Sequence, residues 1–519
     1  MVRSALILSF ALCTASLAMG ADRYVSPTGS ASNPGTLAAP WTMAKAASSA
    51  VAGDIVYVRG GTYTSTVSIT VSGTATQPII FRNYPEETPV FDLTGQTPPS
   101  NDSDAAIISI LNRSHLIVQG FTLQNWRTSN EKGLPEGILI AGRNGSTCTN
   151  IRLLNNTIRN IEQNNTVKGN FNANAHGIKV AGRSTTPVTD IIVEGNHLSN
   201  LRLGASEALV INGNVTNFRV NNNVVHDCNN IGIDLIGFEG TLPSTLDRAR
   251  DGVVSGNVVY NIDSSYNPAY KGDFTTGGGD RAAGGIYVDG GTRIIIERNL
   301  VFGCNFGVEV ASEEDFGTGI ADFITLRNNL LRHNQGAGLI MGGYNSGRGS
   351  TTNCTFINNT IYGNGTIGGG PQIQVQHHVS SNVFKNNIVV ARGSTTSMVS
   401  VTGSAVSGFT GNTFSYNLYY APSGSAPTFE ASGSKNLSAW QAATSLSGGD
   451  VGSSAGDPKF IVSHPSAAEP KTAWQLASGS PAINTGAPSP GYQPGDAEDD
   501  FFGDSRLRDG RVDRGADEF

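Results

Sequence analysis

An apolar alternation, an Asn and a second apolar alternation recur along the middle of the chain: LLNNTI at 153–158, IIVEGNHL at 191–198, VNNNVV at 220–225, VVSGNVV at 253–259, IIIERNLV at 294–301, ITLRNNLL at 324–331, FINNTI at 356–361 and VFKNNIV at 383–389. The aligned residues are Asn156, Asn196, Asn223, Asn257, Asn299, Asn329, Asn359 and Asn387. Their spacing, from about the mid-twenties to about forty residues, fits solenoid coils with loops of variable length. A further strand follows in each coil: GILIAG from Gly137, GIKVAG from Gly177, ALVING from Ala208, GIDLIG from Gly232, GIYVDG from Gly285, GVEVAS from Gly307 and GLIMGG from Gly338. Short period-two strands separated by turns of Gly and Asn, which tolerate left-handed backbone angles, describe a parallel β-helix with inward Asn amides stacked as a ladder. A propeller or sandwich requires regular two- to five-residue hairpin turns, and few are visible.

Composition supports an all-β solenoid. With 64 Gly in 519 residues and 14% charged residues, against roughly a quarter charged in ordinary domains, bundles and coiled coils are disfavoured. The net charge is −7, and no Lys/Arg cluster is interleaved with aromatics, so nucleic acid is not an expected partner. Arg3, the apolar run 5–12 and the small residues Ala18 and Gly20 read as a signal peptide over 1–20, which implies a secreted protein. No later apolar run approaches the ~20 residues that span a bilayer, so no membrane partner is expected. The expected organisation is a signal peptide at 1–20, a β-helix over 21–420 with an amphipathic cap helix near 41–52, and a Ser/Gly-rich, acidic segment at 421–519 packing on the solenoid as part of a monomer. Cys228 and Cys304 align with Ile262 between them, two rungs or roughly 9–10 Å apart, beyond the about 7 Å a disulfide allows; they are expected to be core residues, and Cys148 and Cys354 lie several rungs apart.

The run GDIVYVRGGTY at 53–63, the stretch VSGTATQPIIFRNYPEETPVFD at 71–92 and GIYVDGGTRIIIERN from Gly285 resemble secreted right-handed parallel β-helix proteins, notably family-9 pectate lyases and their relatives. The resemblance implies right-handed coiling and activity on polysaccharides. The D-A-D-G and S-D-D-G-W-D phrases associated with calcium and catalysis in that family are absent here, so the likeness is one of fold, and a fold hosts many functions.

Aligning the GIKVAG-type strands supplies candidate site residues. If the residue after the leading Gly or Ala faces inward, the next column faces out and reads Leu139, Lys179, Val210, Asp234, Tyr287, Glu309, Ile340. Two residues on, a second column reads Ala141, Ala181, Asn212, Ile236, Asp289, Ala311. Long loops at 162–176 and 263–284, flanking shorter ones, are expected to stand as two walls around a cleft, with His176, Tyr266, Tyr270, Lys271 and Arg281 on or near them. Lys179, Asp234, Asp289, Glu309 and Arg281 are the candidate catalytic residues; His176, Asn212, Tyr287, Tyr270 and Lys271 are the candidate substrate-binding ones. The plain alternative is a solvated strand face.

Three chemistries compete. In uronate β-elimination, the leading expectation, Lys179 or Lys271 acts as base and Arg281 or His176 assists, while Ca²⁺ on Asp234, Asp289 and Glu309 neutralises the sugar carboxylate. In glycoside hydrolysis, Asp234 and Glu309 lie roughly 9–10 Å apart between backbones, which leans towards the ~6.5–9.5 Å carboxyl separation of inverting enzymes. A non-catalytic glycan-binding solenoid needs neither. No organic cofactor is expected, and the partner is an extended polysaccharide, in the first reading an acidic one. A calcium-binding tail at Asp496, Asp499, Asp500 and Asp504 is a weaker reading, because their spacing is not that of an EF-hand.

Overall fold

The computed structural model describes residues 20–393, 396–422, 424–443, 446–466, 468–487, 499–506 and 511–519; the signal-peptide reading falls on 1–19 and therefore lies outside them. Three long sheets wrap one core. Each coil runs through a leading-sheet strand, an Asn turn, a trailing-sheet strand, a corner loop and a strand of a third, site-bearing sheet. One such coil is Cys148–Leu154, Thr157–Gln163 and His176–Arg183. Strands of successive coils pair in parallel, as in Ile151↔Ile191↔Phe218 and Ile158↔Leu198↔Val225. The architecture is a right-handed parallel β-helix.

The ladder forms at the Asn turns. The Oδ1 of Asn196 accepts from the backbone N–H and the Nδ2 of Asn156 at 2.9 and 3.0 Å, and the pattern repeats through Asn223, Asn257, Asn299, Asn329, Asn359 and Asn387. It continues to Asn417, whose N–H is capped by Ser453 Oγ at 2.7 Å. The residue before each ladder Asn is left-handed, with φ of 53° at Asn155, 68° at Gly195 and 67° at Gly256. This is why Gly and Asn crowd these turns.

The solenoid core is closed at both ends. At the start, the helix Met43–Ser49 is shorter than the expected span; Thr42 caps it by accepting from the Lys45 N–H, and it buries Met43, Ala46 and Ala47. At the far end, Phe356, Phe384 and Phe414 stack in the core and Trp440, fully buried, covers them. Strands Thr428–Glu430, Leu446–Val451 and Ser454–Ala455 pair with the preceding coils. The β-helix thus passes the boundary expected at 420, because Ser and Gly supply ladder hydrogen bonds despite their weak strand preference.

The rest of the tail packs on the outer face of the trailing sheet, where Phe460, Trp474, Leu476 and Phe501 meet Leu330, Tyr362, Ile388 and Leu418. Its acids serve the chain itself. Asp500 accepts the N–H groups of Phe502, Gly503 and Asp504 on one oxygen and that of Glu518 on the other. Asp496 lies outside the described residues, and what the structure shows of this segment is a backbone clamp rather than a calcium loop. Cys148, Cys228, Cys304 and Cys354 are free and buried, with Cys228 paired in register to Ile262 as expected.

Asn257→Ala removes the acceptor used by both the N–H and the amide of Asn223 and is expected to cost about 2–6 kcal/mol, since each buried group left unpaired costs about 1–3 kcal/mol. Urea unfolding followed by circular dichroism measures it.

Candidate functional site

The site-sheet register aligns the expected columns. Leu139 pairs with Lys179, Lys179 with Val210, Val210 with Asp234, Asp234 with Tyr287, Tyr287 with Glu309 and Glu309 with Ile340. Ala141, Ala181, Asn212 and Ile236 form the second column, with Asp289 paired to Ala311 beyond it. The column is not a solvated strand face: Lys179, Asp234, Tyr287 and Asp289 are buried, while Glu309 and Asn212 are half-buried.

The cover comes from the corner loops. Those at 164–175 and 263–283 do not stand apart as two walls but touch over the short coils between them. The Gly169 N–H donates to the Pro268 carbonyl at 2.9 Å, and Phe171 meets Tyr270 edge to face with centroids 5.5 Å apart. Asn267 Nδ2 ties the second loop down to the Gly204 and Asn229 carbonyls at 2.6 and 2.9 Å. On the opposite side, Arg248 donates to the Gly290 and Gly291 carbonyls and to Asp322, and Arg348 bridges Asp315 and the Glu313 carbonyl. The sheet is therefore flanked on both edges of the column.

The column has a cationic end and an acidic end. Lys179 Nζ lies 2.8 Å from Asp104 Oδ1 and 3.2 Å from Glu136 Oε1, and Arg143 holds the other Asp104 oxygen at 2.7 Å. Burial opposes the Lys179 charge, but Glu136 and Asp104 outweigh it and raise the ammonium above its ordinary value. Burial pushes Glu136 up to about 8 despite Lys179 beside it. Asp104, half-buried, is held down at about 2, against the opposing effect of burial, by Lys179, Arg183 and Arg143. Lys179 is thus a cation turned back towards an earlier coil, with a proton that Glu136 and Asp104 stabilise.

At the acidic end, burial is the largest influence on every carboxyl and mutual repulsion adds to it. Asp234 is raised well above the carboxylate range by burial, then by Glu207, Asp289 and Glu313; its Oδ1 accepts the Leu235 N–H at 2.7 Å. Asp289, whose Oδ1 accepts the Glu313 N–H at 2.8 Å, is raised by burial and Glu313. Glu309 and Glu207 both reach about 8. Tyr287, set between Asp234 and Glu309, keeps its proton far above the usual phenol range through burial and the surrounding acids. Tyr270 faces the same group and is shifted in the same direction, by burial and then by Glu313. Among the described residues, no three His, Cys, Asp or Glu side chains are grouped to hold a metal ion.

Other expected residues separate from this group. Lys271 is exposed and pairs with Asp280 at 2.9 Å. Arg281 is exposed and donates to Gln335 Oε1 at 2.7 Å; both side chains are engaged at the surface, away from the buried column. His176 is buried, with Nδ1 3.2 Å from the Glu207 carbonyl and 3.5 Å from its carboxyl, and burial holds it neutral.

Asp104, Glu136, Arg143 and Glu207 were not among the expected residues. Glu136 and His176 are paired across strands, each directly before a leading Gly, and Glu207 stands directly before Ala208, which leads its own strand. A Cβ on Gly137 or Gly177 would press into Ile158 or Leu198 at 2.7 or 2.8 Å. The leading Gly therefore faces the core together with the residue after it, which breaks the two-residue alternation and turns the preceding side chain into the site. An acid or His directly before the leading small residue is the signal that finds Glu136 and Glu207.

Residues 23–167 match the family model described as a Pel9A-like, right handed beta helix region. YwoF of Bacillus subtilis (strain 168), an uncharacterised protein, is 36% identical over 399 residues, 76% of this chain and 80% of YwoF. Pectate lyase PEL9 of Emericella nidulans is 44% identical over 89 residues, 17% of this chain and 21% of the lyase. Among solved structures, the GH136 lacto-N-biosidase of Eubacterium ramulus superposes with a TM-score of 0.52 at 16% identity, over 73% of this chain and 65% of the biosidase, a likeness of fold. The chain thus spans about a fifth of the pectate lyase's length and under two thirds of the biosidase's.

Because Glu136 and Glu207 are buried and hold protons up to about 8, the folded chain binds more protons than the unfolded chain between the ordinary Glu range and that value. Stability falls as pH rises through this window. Thermal midpoints are expected to drop steadily from pH 5 to pH 9, and Glu207→Gln to flatten the slope.

Proposed function

The chain belongs to the same family as YwoF and carries the Pel9A-like right-handed β-helix region, and from that premise we propose that it is a polysaccharide-cleaving enzyme that uses the site-sheet carboxyls as an acid–base pair. The observation that carries the proposal is the line Asp234, Tyr287, Glu309 on consecutive strands, with raised carboxyl pKa values beneath a loop cover. Several acids with raised proton affinity gathered on consecutive strands support this reading.

Hydrolysis is the reaction this geometry supports best. Asp234 and Glu309 are two rungs apart, roughly 9–10 Å between backbones at ~4.8 Å per rung, near the ~6.5–9.5 Å that leaves room for a water in inverting enzymes. Asp234, more buried and pressed by Glu207, Asp289 and Glu313, keeps its proton and donates it to the leaving glycosidic oxygen. Glu309, half-buried and titrating at about 8, deprotonates the attacking water. Tyr287 remains a hydrogen-bond donor between them, and Asn212 and Tyr270 hold sugar hydroxyls. A ring carrying its own carboxylate would need a cation beside it, and the nearby Lys179 is already bound by Asp104 and Glu136.

Uronate β-elimination is the second reading, favoured by the 44% identity to a pectate lyase over 89 residues. It requires a cation to neutralise the sugar carboxylate, so calcium dependence separates the two. The purified protein is incubated with neutral and uronate polysaccharides, with and without Ca²⁺, and reducing ends and the ultraviolet absorbance of unsaturated uronate are followed. New reducing ends without the unsaturated product are expected. A calcium-dependent unsaturated product establishes elimination instead, and neither signal leaves a binding protein. Glu309→Gln and Asp234→Asn are each expected to lower the rate about 10²–10⁴-fold. Because the base must be ionised, wild-type activity rises as pH increases through about 8.

A further inference from the structure

On the far side of the 263–283 loop from the acidic column, a cavity of about 470 Å³ opens where the trailing-sheet strands His197–Leu201, Val224–Cys228 and Val258–Ile262 end. Its lining includes Tyr266, Phe274, Arg202, Glu162, Asp227 and Asn229. The same loop carries Tyr270, which is close enough to Glu313, Glu207 and Asp234 to feel their charge.

We propose that this cavity is a second carbohydrate site, which takes a neutral pyranose unit. The volume falls in the roughly 300–1,000 Å³ range of small-molecule pockets. Tyr266 is 44% exposed, offering a ring surface to the C–H face of a sugar while its hydroxyl remains available for hydrogen bonding. Phe274 lines the same cavity, with the Arg202 guanidinium 4.4 Å from its ring centroid. Glu162 and Asp227 accept hydrogen bonds from ligand hydroxyls.

Asn229 makes the cavity more than a surface dent. Its residue is only 8% exposed; Oδ1 accepts the Leu203 N–H at 2.7 Å, yet the buried Nδ2 has no hydrogen-bond partner. An unpaired buried donor is costly, and Asn229 is part of the cavity lining.

The charge balance selects a neutral sugar. Glu162, Asp227 and Asp263 line the cavity against Arg202, whose guanidinium already donates to Asn164 at 2.8 Å. A uronate carboxylate would face an excess of like charge.

Saturation-transfer NMR and equilibrium titration with the methyl β-pyranosides of glucose, galactose, mannose and xylose, and with galacturonate, test this on the full chain. At least one neutral glycoside is expected to bind, galacturonate at least fivefold more weakly. Tyr266→Ala and Phe274→Ala are each expected to weaken the neutral glycoside at least fivefold, whereas Glu309→Gln leaves its binding in place. Tyr266 is a surface residue, so its variant folds, and an unchanged thermal midpoint checks this. Absence of binding by every neutral glycoside overturns the proposal. So does binding that survives both aromatic substitutions, or binding abolished by Glu309→Gln, which would place the sugar on the acidic column.

Discussion

In-register parallel stacking governs this molecule. Once one coil pairs with the next, every equivalent position lies one rung, roughly 4.8 Å, from its neighbour, and whatever side chains the repeat supplies are brought together in lines. The buried Asn ladder fixes that register: each amide gives and receives hydrogen bonds with the coil on either side, so a slip of one residue would strand polar groups in the core. Apolar columns then become the core, and polar columns become surfaces.

The same stacking makes the acidic column costly. Asp234, Asp289 and Glu309 are crowded on consecutive strands with Glu207 and Glu313 near them, an arrangement that raises their proton affinity and works against the folded state at alkaline pH. Stability is contributed elsewhere, by the continuous core and by the second apolar cluster under the tail. Lys179 belongs to this balance as a structural cation: Asp104, 75 residues earlier, and Glu136 draw it away from Asp234. That separation is what moves the chemical reading from uronate elimination towards acid–base hydrolysis.

Much of this was legible in the sequence because a solenoid converts alignment into contact. The eight ladder Asn, the three-strand coil, the unpaired cysteines and the pairing of Lys179, Val210, Asp234, Tyr287 and Glu309 follow from spacing alone. What escaped obeys other rules. Glu136 and Glu207 were hidden because the small residue after each faces the core and interrupts the alternation. The meeting of Phe171 with Tyr270 depends on loop conformations that no period governs, and Lys271 and Arg281, assigned to the cleft by loop position, turn outward for the same reason. The final coils were masked by Ser and Gly, whose backbones pair as readily as those of Val once a preceding edge is present.

The central claim is that the acidic column shares retained protons at neutral pH. A pH titration of ¹³C-labelled carboxyl resonances by NMR, assigned with Asp234→Asn, Asp289→Asn and Glu309→Gln, tests it most directly. The account predicts that Glu309 titrates at about 8 and that Asp234 and Asp289 titrate well above the ordinary carboxylate range. Titration of all three between about pH 3.5 and 4.5, as for solvated carboxylates, would contradict it.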